Sequence, residues 1–114
     1  MADPPPIDHA AFAELQDSAG AEFVAELVDT FLEEAPHMLA ELRATATTVR
    51  PDAFRRAAHS LKSNANTFGA TRLATLARDL ELDGIPGDGG NAALAELARE
   101  YERVRARLLE LRGG

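Results

Sequence analysis

Between Ala21 and about Thr47 apolar residues return every three or four positions, as Phe23, Leu27, Phe31, Leu32, Ala35, Met38, Leu39, Leu42 and Ala46. That spacing lays one stripe along a helix of 3.6 residues per turn and predicts a long amphipathic α-helix. Pro36 falls inside it and is expected to kink it, because proline removes a backbone hydrogen bond and crowds the preceding turn. The same periodicity returns three more times. Pro51 suits the first position of a helix that buries Phe54, Ala58, Leu61, Ala65 and Phe68 and stops or bends at Gly69. A helix over about 70–82 presents Leu73, Leu76, Ala77 and Leu80, and one over about 91–111 presents Leu94, Leu97, Tyr101, Val104 and Leu108. Between them Asp83 to Gly90 holds four glycines and a proline, which marks a loop. Near the start, Asp8 is placed to cap a short helix from His9 to about Gln16 that buries Phe12 and Leu15. No segment alternates like a strand. The expected fold is all-α: an antiparallel up-down four-helix bundle with a short extra N-terminal helix. Residues 1–6, with three successive prolines, read as a flexible tail, and 7–112 as one bundle domain.

Composition narrows this picture. A chain of 114 residues supports one core, and 46% apolar with 27% charged residues suits a globular protein. No apolar run approaches the ~18 residues of a membrane span. Nor does a basic n-region precede an apolar h-region, as in a signal peptide. With no cysteine there are neither disulfides nor thiolate metal ligands, and a cytoplasmic location is expected. His9 and His37 have no metal-ligand partners at helical spacing, so no metal site is expected. The net charge of −7 argues against nucleic acid or an anionic membrane surface as the main partner. The acidic stretches Glu33-Glu34 and Glu100-Tyr101-Glu102 read as solvated faces.

One segment carries chemistry. Lys62 is the only lysine among twelve basic residues, and it follows His59 by three positions in Ala58-His59-Ser60-Leu61-Lys62-Ser63-Asn64-Ala65-Asn66. Projected at about 100° per residue from Phe54, the apolar residues of this helix fall within roughly 40° of one line. On the same projection Lys62, Arg55, Asn66, His59 and Ser63 fall between about 80° and 180°, on a polar flank. A lone histidine on such a flank is ordinarily just solvated. Here its surroundings suit a ring that acquires a phosphoryl group. The helix holds the imidazole in one orientation while leaving it exposed to a donor. Ser63 is small and leaves it uncovered. Lys62, a compact cation, and Arg55 as a second one, are placed to neutralise phosphoryl oxygens, and Asn66 lies where it lines the site. A carboxylate accepting from one ring N–H would fix the tautomer and raise the nucleophilicity of the other nitrogen. Glu81, beside Leu80 on the next helix, is the candidate for that role.

The run from Arg56-Ala57-Ala58-His59-Ser60-Leu61-Lys62 through Gly69-Ala70, with Leu73 and Leu80-Glu81 following, resembles the histidine-containing phosphotransfer (HPt) domain family. Its pattern is His-x-x-Lys, a small residue, a glycine about ten residues after the histidine, and an acidic or amide residue on the neighbouring helix. Phe31-Leu32-Glu33-Glu34-Ala35-Pro36 extends the likeness over most of the chain. Ser63 departs from the glycine found in many members but remains small. The resemblance implies that His59 is the phosphoacceptor, Lys62 the phosphate-facing cation and Glu81 the imidazole partner. It also implies exchange with aspartates of response-regulator receiver domains, downstream of a hybrid sensor histidine kinase. Such a carrier needs no cofactor of its own, the Mg²⁺ belonging to the receiver, and is expected to be a monomer rather than an ATP-dependent kinase. No GxxxxGK[ST] loop or kinase-type glycine loop is present.

Three other readings compete. The dimerisation and phosphoacceptor domain of a histidine kinase has an acidic residue after its histidine and a proline shortly beyond, whereas Ser60 follows His59 and the next proline is Pro86. A phosphotransfer domain of a chemotaxis-type or hybrid histidine kinase shares bundle and motif but is phosphorylated by an attached kinase core. A plain helical scaffold would be indifferent to loss of His59.

Overall fold

The computed structural model describes residues 4–113, which form α1 (His9–Ala19), α2 (Ala21–Thr47), α3 (Pro51–Thr67), α4 (Thr71–Asp83) and α5 (Asn91–Leu111), with no strand among them. Residues 1–3 of the expected tail lie outside the described residues. Each boundary has a local cause. Asp8 caps α1, its carboxylate accepting from the amides of Ala10 and Ala11 at 3.1 and 3.3 Å. That helix runs three residues beyond the expected Gln16, to the left-handed Gly20. α2 continues unbroken through the exposed Pro36. At its end the hydroxyls of Thr45, Thr47 and Thr48 donate to carbonyls four residues back. Pro51 opens α3.

α2 packs on α3, α3 on α4, α4 on α5, and α5 closes on α2, while α1 lies against α2. Phe31 is central. Its ring lies 5.4 Å from that of Phe68 and 6.1 Å from that of Tyr101, joining α2 to the α3–α4 turn and to α5. Val24, Val28, Leu42, Phe54, Leu61, Leu73, Leu97, Val104 and Leu108 are fully buried around it. Phe23, expected in this core, is 52% exposed, and Val24 and Val28 occupy its place. The phase explains the exchange: Val24 projects within about 20° of Phe31, whereas Phe23 lies about 80° away.

A second departure concerns Glu100, which is buried rather than solvated. Its carboxylate accepts from Arg103 Nη1 at 2.8 Å and faces Arg72 Nε at 3.5 Å. Arg103 also donates through Nη2 to the carbonyl of Pro4 at 2.7 Å, and Arg72 pairs with Glu96 at 3.0 Å. A buried charge held between two guanidiniums ties α4, α5 and the segment before α1 together. That segment is further seated at the α3–α4 turn, where Asp8 N–H donates to the Gly69 carbonyl at 2.8 Å. Gly69 has φ +76°, and a β-carbon there would lie 2.9 Å from Ala11 Cβ.

Candidate functional site

The close packing of α3 on α4 creates the site. Ala58, Leu61 and Ala65 are buried on one face of α3, which turns His59 and Lys62 onto its flank. On α4 the buried Leu73, Ala77 and Leu80 fix the helix, and Glu81 follows Leu80 at the rim. The two flanks meet. His59 Nδ1 lies 2.8 Å from Glu81 Oε2, and Lys62 Nζ donates to Glu81 Oε1 at 2.7 Å. One carboxylate is thus engaged on both oxygens. The histidine side chain is 57% exposed, while Glu81 and Lys62 are 24% and 25% exposed. The ring is therefore anchored at one edge and open at the other.

The Lys62 ammonium, and to a smaller extent His59, hold the Glu81 carboxyl below the usual carboxylate value of 4.5, against the opposing effect of partial desolvation. At neutral pH Glu81 is an anion that can only accept. Nδ1 must then be the donor, and a neutral ring carries its lone pair on Nε2, at the open edge.

Arg55, one turn before His59, lines a shallow pocket of about 370 Å³ together with Arg56, His59, Ser60 and Glu81. Its guanidinium lies over Gly84, the left-handed residue that ends α4. Ser63 and Asn66 are exposed on α3 beyond Lys62, and neither is hydrogen-bonded to His59, Lys62 or Glu81. Two features were not legible in the sequence: the Lys62–Glu81 bond and the packing of Arg55 on Gly84. Gly84 is recognisable as a helix stop, but nothing local names the side chain from another helix that covers it.

Beside this pocket, and sharing Arg56 and Ser60 with it, a groove of about 530 Å³ runs between α2 and α3. Met38, Ala53 and Ala57 supply its apolar lining, and Glu34, His37 and Glu41 its α2 bank. A separate pocket of about 470 Å³ lies between α4 and α5, lined by Leu76, Leu80, Ile85 and Asp83 among others, and holds none of the candidate residues.

Comparison with known proteins identifies the family and the fold. The family model described as the Hpt domain matches residues 26–107. The crystal structure of histidine-containing phosphotransfer protein B (HptB) from Pseudomonas aeruginosa PAO1 superposes with a TM-score of 0.84. It shares 28% sequence identity with this chain over 96% of each chain. None of the curated proteins matches.

Proposed function

Because the chain belongs to the Hpt domain family, whose members carry out histidine phosphotransfer in two-component signalling, we propose that it is a phosphorelay carrier with His59 as its phosphoacceptor. The observation that carries this reading is the bond from His59 Nδ1 to Glu81, which leaves Nε2 as the open nucleophile. In the proposed reaction Nε2 attacks the phosphorus of a receiver's aspartyl phosphate. The N–P bond forms as the P–O bond to the aspartate breaks, and the departing carboxylate keeps that electron pair. The Nδ1 proton stays on the ring, where the Glu81 carboxylate offsets the positive charge that the imidazole gains. Transfer onward to a second receiver is the reverse sequence on a new aspartate. Lys62 and Arg55 supply positive charge for the phosphoryl oxygens, and Ser63 and Asn66 border the approach.

Catalytic groups beyond these, and the Mg²⁺, are assigned to the receiver, so this chain is a carrier rather than a kinase and needs no cofactor. The ring of packed helices is read as an up-down four-helix bundle over 7–112 with α1 added, acting as a cytoplasmic monomer. The groove between α2 and α3 is assigned to receiver docking, on the grounds that it abuts His59 and combines an apolar lining with charged banks. A hybrid sensor kinase is the proposed upstream source.

Incubation with radiolabelled phosphorylated receiver domains, beside a His59→Gln variant, tests the proposal. Acid-labile, base-stable label on the wild type alone is the expected result. Absence of label from a broad receiver panel, with both proteins folded, would leave a helical scaffold instead.

A further inference from the structure

Of the cations beside His59, Arg56 lies in the same pocket without a seat on α4, and Lys62 and Arg55 are attached differently. Lys62 is committed to Glu81 at 2.7 Å, so its charge is already opposed by that carboxylate. Arg55, by contrast, has no ion pair or side-chain hydrogen bond among the described residues. Its guanidinium is seated on a helix end. A β-carbon added at Gly84 would lie 2.9 Å from Arg55 Nη2, 3.4 Å from Nε and 3.6 Å from Cζ, so the fork occupies the space a side chain would fill. The seat is electrically favourable, because the last carbonyls of α4 present partial negative charge there. It is also stereochemically specific, since Gly84 has φ +78° and a side chain would be strained as well as obstructive. From this seat Arg55 lines the same shallow pocket as His59 and Glu81.

We infer an unequal division of the charge that the two supply: Lys62 chiefly acts as the positioning residue that pins Glu81, and Arg55, seated on Gly84, is the main cation for the incoming phosphoryl group. The inference rests on the relay reading and refines it. A phosphoryl dianion entering at Nε2 meets a His59–Glu81–Lys62 trio whose carboxylate and ammonium charges already cancel. Arg55 offers an uncommitted charge and several N–H donors in a planar fork that matches phosphoryl oxygens. Gly84 then acts at a distance. It touches no reacting atom, but its missing side chain fixes where the fork rests.

The test uses the whole protein and phosphoramidate, a small donor that needs no receiver. Its P–N bond breaks as the His59 N–P bond forms, and ammonia leaves. Phosphohistidine is followed by ³¹P NMR, and the resting imidazole by its ¹⁵N shifts, in Arg55→Gln, Gly84→Ala, the double variant and Lys62→Gln. Arg55→Gln is expected to slow phosphorylation at least about tenfold with unchanged resting ¹⁵N shifts. Gly84→Ala should do the same, and the double variant should be no slower than Arg55→Gln alone. Lys62→Gln should instead disturb the Nδ1–H pattern of the resting ring. Arg55 is exposed, so its variant decides the matter even if Gly84→Ala fails to fold. A wild type that is phosphorylated, with Arg55→Gln equally fast, overturns this inference and leaves the relay intact. Because the remaining catalytic groups are assigned to the receiver, the same variants are also phosphorylated from a phosphorylated receiver domain, and a wild type that gains no phosphoryl group on His59 from either donor overturns both.

Discussion

A single carboxylate sets the chemistry of the site. Glu81 accepts from His59 and Lys62 on separate oxygens, so its ionised form is favoured and the imidazole is held with Nδ1 as donor. The direction of its shift fixes the pH dependence. A carboxyl lowered below 4.5 keeps its contacts throughout the neutral range and loses them only as the pH falls through that lowered value. In ¹³C-detected titration the Glu81 carboxyl should show a midpoint below 4.5 in the wild type, and removing Lys62, the largest cause, should raise it. An unchanged midpoint in Lys62→Ala would mean that Lys62 does not hold Glu81 in solution. Much of this constellation was legible beforehand. His59 and Lys62 are one turn apart by spacing alone, and Glu81 is marked by its place after a core leucine. Spacing along one helix gives no distance across to the next, so the sharing of Glu81 was not.

Helices were legible wherever periodicity was long and punctuation sharp. Pro51, Gly69 and the glycine-rich stretch from Gly84 to Gly90 mark boundaries within a residue or so of those observed. Where several apolar residues compete for one face the phase is ambiguous, and the exchange of Phe23 for Val24 and Val28 shows it. Glu100 was misread for another reason: its partners are Arg72 on α4 and Arg103 beside Pro4, which no local pattern reveals. The connection from α2 to α3 carries a strain that invites repair. Val49 has φ +54°, a left-handed conformation in which a β-branched side chain is disfavoured, and it is 72% exposed. Val49→Asn should stabilise the protein by about 1 kcal/mol in chemical denaturation, since asparagine tolerates this region and little packing is lost. An equal or lower stability would show that the strain is relieved by contacts of the valine itself.

Over the whole molecule, a net charge of −7 surrounds a site proposed to admit an anionic group, so on that reading local basic residues on α3 matter more than the global sum. The groove between α2 and α3 offers the proposed receiver an apolar lining beside that basic flank. Met38→Glu should weaken receiver affinity about tenfold while leaving phosphorylation by phosphoramidate unchanged. Titration calorimetry with a cognate receiver checks the first effect and ³¹P NMR the second; undiminished affinity would place docking elsewhere. The bonds that build the site and the bond that closes the frame differ greatly in reach. His59 and Lys62 find Glu81 across 22 and 19 residues, whereas Pro4 meets Arg103 across 99. On a chain emerging from the ribosome, the hairpin of α3 and α4 that carries the candidate site can therefore assemble while α5 is still being made. The opening segment must wait for the final helix before it has a guanidinium to hold.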